Sequence, residues 1–323
     1  MRILVTGSAG FIGFHLTGRL LSDGHEVAGL DNFNAYYDAG LKRARQLVLA
    51  EAYAGTGRYS FSEMDIGDPD ALRRVFESCV PECVVHLAAQ PGMRSSVRDP
   101  GACYASNADG FFNVLERCRL SQAAPRLVYA SSSSVYGGNT VLPFSEDQPV
   151  ERPVNLYAAT KRANELMAHA YTHVYGMQTI GLRFFTVYGP WTRPDMAMYR
   201  FAEAMVQHRP LQVYNYGEMR RDFTYVDDIV EGVVRCVTGS GFARYEIFNI
   251  GNSRPERLLD MIGLLGEALG VHPALEFLPM QAGDLPETWA DISRLRAKTG
   301  FAPTTPLSVG VPKFVAWFRS YAG

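Results

Sequence analysis

The sequence is short of lysine. Lys42, Lys161, Lys298 and Lys313 are the only four among 31 basic residues, and the other 27 are arginine. The bulk of those arginines reads as coding bias, and a few as bidentate grips on an anion. Cysteine is scarce too. Cys79, Cys83, Cys103, Cys118 and Cys236 are odd in number and form no C-x-x-C pair. That excludes a disulfide scaffold and a zinc ribbon, and fits reduced thiols in a cytoplasmic protein. No apolar run reaches the roughly 18 residues of a membrane span. Neither sign of charge dominates: 31 basic against 33 acidic residues give a formal charge of −2. A nucleic-acid binder or a membrane-surface protein would need a basic field that is missing here. Repeats and low-complexity tracts are absent. Met1 to Leu16 carries Gly7, Gly10 and Gly13 and no small-residue cleavage site, so it is not read as a signal peptide.

What is present is a chain of 323 residues, 47% apolar, enough for a large core and a prior of two domains. Residues 2–6 predict a strand, Phe11 to Ser22 a helix and Glu26 to Asp31 a second strand. The alternation continues: strand Tyr59 to Met64, helix Asp70 to Ser78, strand Cys83 to Ala88, helix Asn107 to Arg119. Then come strand Arg126 to Ser131, helix Tyr157 to Tyr175 and strand Gln178 to Phe184. Helices alternating with short apolar strands predict an α/β fold, a Rossmann-type doubly wound parallel sheet. Asn34 to Gly57 is an insertion, helical from Ala39 to Tyr53. After about residue 184 Pro190, Pro194 and Pro210 break the rhythm. Asp227 to Val237 (helix) and Tyr245 to Ile250 (strand) still look sheet-like. The expected division is 1–183 plus about 225–251 as a dinucleotide-binding domain. A smaller, discontinuous α/β substrate-binding domain takes about 184–224 plus 252–323.

Gly7-Ser-Ala-Gly10-Phe-Ile-Gly13 lies between the first strand and helix. Gly7 allows the tight turn, Gly10 a close backbone approach to a pyrophosphate, and Gly13 helix–strand packing. The helix start at Phe11 and Ile12 offers N–H groups to the anion. Asp31, with Asn32 after it, ends the second strand 18 residues after Gly13. Its carboxylate suits the adenosine ribose hydroxyls and repels a 2′-phosphate, which favours NAD over NADP. Asp65-Ile66 reads either as an adenine contact and cover or as the cap region of the next helix. Leu87-Ala88-Ala89 ends the fourth strand with small residues, as close passage of a cofactor requires.

Tyr157 and Lys161 fall at i and i+4, on one helix face. A nearby ammonium and an oxidised nicotinamide would favour the phenolate, making a base for a substrate hydroxyl, and Lys161 can also hold the nicotinamide ribose. Ser131 to Ser134 close the preceding strand at the carboxyl edge, where their hydroxyls can donate to a developing alkoxide. A flexible polar turn is the other reading of that run.

Together these residues resemble the extended short-chain dehydrogenase/reductases, over essentially the whole chain, and most closely the nucleotide-sugar epimerases. In that resemblance Val135-Tyr136-Gly137 marks Ser132 as the partner of Tyr157, and Asn107 joins the cofactor contacts. It implies a tightly bound NAD that is recycled: Tyr157 deprotonates a sugar hydroxyl, a keto-sugar forms and turns, and its other face is reduced. Related dehydratases carry an Asp-Glu pair after the serine, and related UDP-glucuronate decarboxylases a Glu. Ser133 and Ser134 stand there instead, so they and Thr186 can donate to a substrate carboxylate. Asp31 to Asp38 with its insertion, and Gly189 to Met196, are similar to UDP-glucuronate 4-epimerases. The expected reaction is C4 epimerisation of UDP-glucuronate to UDP-galacturonate without decarboxylation. A UDP-glucose/UDP-galactose 4-epimerase and a UDP-glucuronate decarboxylase are the alternatives within enzymes. An inactive NAD sensor and a net dehydrogenase stand outside them.

For the nucleotide, Arg220-Arg221-Asp222 with Val226 and Asp228 resembles the family's R-D-x-x-x-V-x-D segment and makes Arg221 the pyrophosphate ligand. Asp284 resembles its uridine-ribose contact. Gln212, Val213 and Tyr214 read as an edge strand beside uracil. Arg94 and Arg193 read as sugar or phosphate contacts or as solvated surface charges. His169 and His173 share a helix face without a third ligand, so no metal is expected. The resemblance implies a homodimer through helices 107–119 and 157–175.

Overall fold

The computed structural model describes residues 1–281 and 284–322. Its elements, in order, are β1 Arg2–Thr6, α1 Phe11–Ser22, β2 Glu26–Asp31, α2 Ala39–Ala52, β3 Tyr59–Glu63, α3 Pro69–Cys79, β4 Cys83–His86, α4 Met93–Arg98, α5 Pro100–Tyr104, α6 Gly110–Leu120 and β5 Arg126–Ser132. Then follow α7 Leu156–Tyr175, β6 Thr179–Phe184, β7 Thr186–Tyr188, α8 Ala197–Val206, β8 Leu211–Tyr214, β9 Arg220–Arg221, β10 Phe223–Tyr225 and α9 Val226–Thr238. Last come β11 Tyr245–Ile250, β12 Glu256–Arg257, α10 Leu258–Leu269, β13 Leu275–Leu278, β14 Glu287–Thr288, α11 Ser293–Thr299 and α12 Leu307–Ala322.

Seven strands form one sheet in the order β11-β6-β5-β4-β1-β2-β3, and every pair in it is parallel. This is the Rossmann-type α/β fold. The chain builds outward from β1 through β2 and β3, then crosses to β4 and runs the other way. That reversal opens a crevice beyond the carboxyl ends of β1 and β4, where ligands bind in such sheets. Side chains alternate across the sheet. Ile3, Val5 and Val85 join the core on one face, and Leu4, Val84 and Leu127 the core on the other.

Local chemistry sets the helix ends. The Asn155 side chain accepts from Ala158 N at 2.8 Å and starts α7, and Gly176 at φ 70° ends it. Asp68, not Asp65, caps α3, with Pro69 in its first turn. The helix expected from Asn107 instead begins with a π turn, Ala105–Asp109, that runs into α6. The chain after residue 184 is richer in helix than its broken rhythm suggests, because α8, α10 and α12 pack around one core with Met205, Leu265 and Phe314 inside it.

Candidate active site

A cleft of about 240 Å³ opens at the carboxyl ends of the central strands. Gly7, Gly10, Phe11, Ile12 and Gly13 line one wall. Gly7 sits at φ +71°, and a Cβ there would lie 2.7 Å from Ala88 N. A Cβ on Gly13 would lie 2.1 Å from Gly7 O. Neither position tolerates a side chain, so the loop wraps tightly against the end of β4. Gly10 caps α1 with no side-chain bond. The first-turn N–H groups therefore face the cleft, as an anion would need.

Asp31 lines the same cleft and is 7% exposed. Burial pushes its carboxyl up, opposed by Lys42, the Phe33 N–H and Arg45. Asn32 donates to Asp65 Oδ2 at 2.7 Å, which joins the ends of β2 and β3. Asp65, Ile66, Leu87, Ala88 and Ala89 complete this end. A glycine cradle, free helix N–H groups and a carboxylate at the second strand's end fit a dinucleotide in extended form.

Tyr157, Lys161 and Ser132 line the other end. Lys161 is 2% exposed, and its Nζ donates to Ala130 O at 2.9 Å. Burial lowers it to about 8. Tyr157 is partly exposed, toward the cleft. The expected base also needs an oxidised nicotinamide, and the phenol by itself is raised. Burial pushes it up, the Ser132 hydroxyl and Arg193 oppose, and Cys103 adds to the rise. Lys161 is anchored to the strand carbonyl and is not among the groups that shift the phenol.

The remaining expected residues divide. Arg193 lines the cleft, with its Nε 3.3 Å from Asp195, which also accepts from Tyr36. Ser133 and Ser134 lie in a 3-10 turn just beyond Ser132 and do not line the cleft, and Ser134 Oγ accepts from Ser132 Oγ at 3.1 Å. Thr186 starts β7, while its neighbours Phe184, Phe185 and Val187 face the cleft. Asn107 does not line it and is 1% exposed. Its Oδ1 accepts from Gln90 N at 2.7 Å, and its Nδ2 donates to Gln90 O and Thr160 Oγ1. The side chain pins the segment after β4 to α7, beside Ser106, which lines the cleft.

The nucleotide candidates lie outside this cleft. Arg221 donates to Arg220 O and Pro286 O, and burial lowers it while Asp284 opposes. Asp284 is therefore Arg221's electrostatic neighbour; Gly283 beside it lies outside the described residues. Val213 is fully buried in the core, so its side chain faces no ligand. Gln212 is exposed and accepts from the Tyr214 hydroxyl at 3.2 Å. Arg94 contacts Gln281 across the two parts of the chain. His169 packs edge-on against Tyr245 at 4.9 Å.

The insertion supplies residues that pattern reading missed: Tyr36, Tyr37 and Lys42 line the cleft. Lys42 lies 3.9 Å from Asp31 and donates to Asn34 Oδ1 at 2.6 Å. Its rarity as one of four lysines was the available signal. Arg45 behind it is fully buried, donating to Ala9 O, Tyr37 and Trp191 O.

Residues 3–251 match the NAD dependent epimerase/dehydratase family. The chain is 44% identical to UDP-glucuronate 4-epimerase 4 of Arabidopsis thaliana, over 99% of this chain and 75% of that one. It is 42% identical to a probable UDP-glucuronate 4-epimerase of Rhizobium meliloti, over 98% and 97%. The crystal structure of UDP-glucuronic acid 4-epimerase from Bacillus cereus, in complex with UDP-glucuronic acid and NAD, superposes with a TM-score of 0.91. That match is at 34% identity and covers 99% of each chain.

Proposed function

Because the chain belongs to the NAD dependent epimerase/dehydratase family, we propose that it interconverts UDP-glucuronate and UDP-galacturonate at C4. The cofactor is NAD, held by the glycine loop and Asp31. The observation that carries the reading is one cleft that joins this cradle to Ser132, Tyr157 and Lys161 and is followed by serines where a carboxylate would serve elimination or decarboxylation. The relatives named for this reaction support it.

Bound NAD supplies a hydride acceptor and, when oxidised, a positive charge beside the phenol. Tyr157 takes the proton of the C4 hydroxyl while Ser132 donates to the same oxygen. Lys161 holds the nicotinamide ribose. The resulting 4-keto sugar turns within the cleft, is reduced on its other face, and takes its proton back from Tyr157. Ser133, Ser134 and Thr186 hold the substrate carboxylate, and Arg193 meets the sugar or a phosphate. Arg221 and Asp284 grip the pyrophosphate and uridine ribose, and Gln212 to Tyr214 flank uracil through backbone and polar groups. Segments 184–224 and 252–323 form the UDP-sugar side, and 1–183 with 225–251 the NAD side. The enzyme works as a cytoplasmic homodimer through α6 and α7.

The test is direct. Purified protein, without added cofactor, is incubated with UDP-glucuronate and separately with UDP-glucose, and products are read by NMR. UDP-galacturonate from the first substrate alone is expected. A UDP-pentose, or no conversion, rejects the assignment.

A further inference from the structure

Behind the floor of the cleft lies a charge cluster that the mechanism leaves unused. Glu165 follows Tyr157 by eight residues and Lys161 by four on α7, so the three share one face of the helix. It is fully buried. Its Oε1 accepts from Ser131 Oγ at 2.6 Å and from Arg183 Nε at 2.8 Å. Its Oε2 accepts from Arg183 Nη2 at 2.9 Å and from Arg162 Nη1 at 3.0 Å. Four donors saturate the carboxylate. Burial pushes it up, but Arg183, Ser131 and Arg162 outweigh that and hold it below the ordinary range.

Arg183 extends the cluster. Its Nη1 donates to the Tyr136 hydroxyl at 3.0 Å, which donates in turn to Asn249 Oδ1 at 2.6 Å. From β11, Tyr245 donates to the Glu165 carbonyl at 3.2 Å, and Tyr129 of β5 faces the same carboxylate. An Arg–Glu pair alone would satisfy a packing need. The extra bond to Ser131 is placed differently, because one neighbour of Ser131 anchors Lys161 and the other lines the cleft with Tyr157. Ala130 O receives Lys161 Nζ, and Ser132 faces Tyr157.

We propose that Glu165 is a positioning residue: through Ser131 it fixes the carboxyl end of β5, which sets Ser132 against Tyr157 and the Ala130 carbonyl against Lys161. This rests on the reading of Tyr157 as the acid/base. The groups facing the phenol are Ser132 from β5, Arg193 from the segment after β7 and Cys103 from α5. Lys161 lies one turn further along α7. Glu165 is not among them, so its influence travels through the strand.

Glu165→Gln is a poor probe, since it leaves Arg183 buried without a counter-charge. Ser131→Ala cuts the link to the strand while leaving Glu165 paired with Arg183 and Arg162, and Ser131→Thr restores a hydroxyl. The protein is labelled with ¹³Cζ-tyrosine, and the Tyr157 resonance is assigned by its loss in Tyr157→Phe. Ser132 lowers the phenol, so a loosened Ser132 raises it. The Tyr157 midpoint, and with it the rising limb of kcat against pH, should move alkaline by about one pH unit in Ser131→Ala. At neutral pH kcat should fall about tenfold with KM within about twofold, and Ser131→Thr should recover most of it. A folded Ser131→Ala protein with the wild-type midpoint and kcat overturns the proposal. The titration needs no substrate. A shifted midpoint in a protein that leaves UDP-glucuronate untouched would uphold the positioning role and remove the substrate assignment alone.

Discussion

A phenol raised by burial keeps its proton at neutral pH, so in the proposed mechanism Tyr157 starts as an acid. On that mechanism it would become a base when positive charge arrives beside it, which would couple proton removal to cofactor binding. The substrate carboxylate poses the harder problem. A 4-keto glucuronate is a β-keto acid, and it loses CO₂ when the carboxylate bond aligns with the carbonyl π system. In the mechanism proposed above, the hydroxyls of Ser133, Ser134 and Thr186 would hold the carboxylate away from that alignment, and none of them can act as an acid or base near neutral pH. Thr186→Ala or Ser133→Ala should therefore increase the UDP-pentose share of the product. A hydrogen bond to a charged group is worth about 1.5–3 kcal/mol, which corresponds to roughly tenfold or more in partition. NMR of the product mixture measures it, and a partition equal to wild type in both variants refutes the role.

At the scale of elements, the central strands were legible because their chemistry is local. Cys83-Val-Val-His86 is a short apolar run bounded by turns, and it became β4 with every residue buried. Helices α8, α10 and α12 were not legible. α10 is apolar nearly all round, with Leu258, Leu259, Met261, Ile262, Leu264 and Leu265 in its first eight positions, so no polar face marks its period. α12 contains Pro312, which reads as a break. The packing role of Asn107 was not legible, because its partners, Gln90 and Thr160, are brought to it only by the tertiary fold. Lys42 escaped because its tie to Asp31 spans the insertion.

The β1–β4 pair carries a pH dependence of its own. His86 ends β4, 1% exposed, and its Nδ1 shares a 2.8 Å hydrogen bond with the Thr6 hydroxyl of β1. Nε2 finds no partner among the described residues. Burial, with Lys161 adding, lowers His86 to about 3. Below its ordinary value near 6.5 the unfolded chain takes up a proton that the fold refuses. Stability is therefore lost as pH falls from 6.5 toward 3. The expected loss is about 2 kcal/mol between pH 6.5 and 5. Urea unfolding across that range should show it, with a shallower slope in His86→Gln. Equal slopes for the two proteins contradict this account.

At the scale of the molecule, α7 faces two ways. Its inner side carries Tyr157, Lys161 and Glu165, and its outer side leaves Leu166 54% and Val174 66% exposed. Phe112 and Leu120 of α6, 46% and 52% exposed, extend that surface. Side chains of this size gathered on two packed helices form the kind of patch that marks an interface. A second copy meeting it by twofold symmetry would bury α6 and α7 against their equivalents in a four-helix arrangement. Burying the patch would also stiffen the helix that holds the reacting groups, so assembly and catalysis would rest on one element. Light scattering after size exclusion should give twice the 35.8 kDa of one chain. The pair Phe112→Asp and Leu166→Asp places two charges per chain in the contact, and the mass should then fall to that of a single chain. A wild-type protein that is already monomeric at micromolar concentration, or a double variant that stays dimeric, places the interface elsewhere.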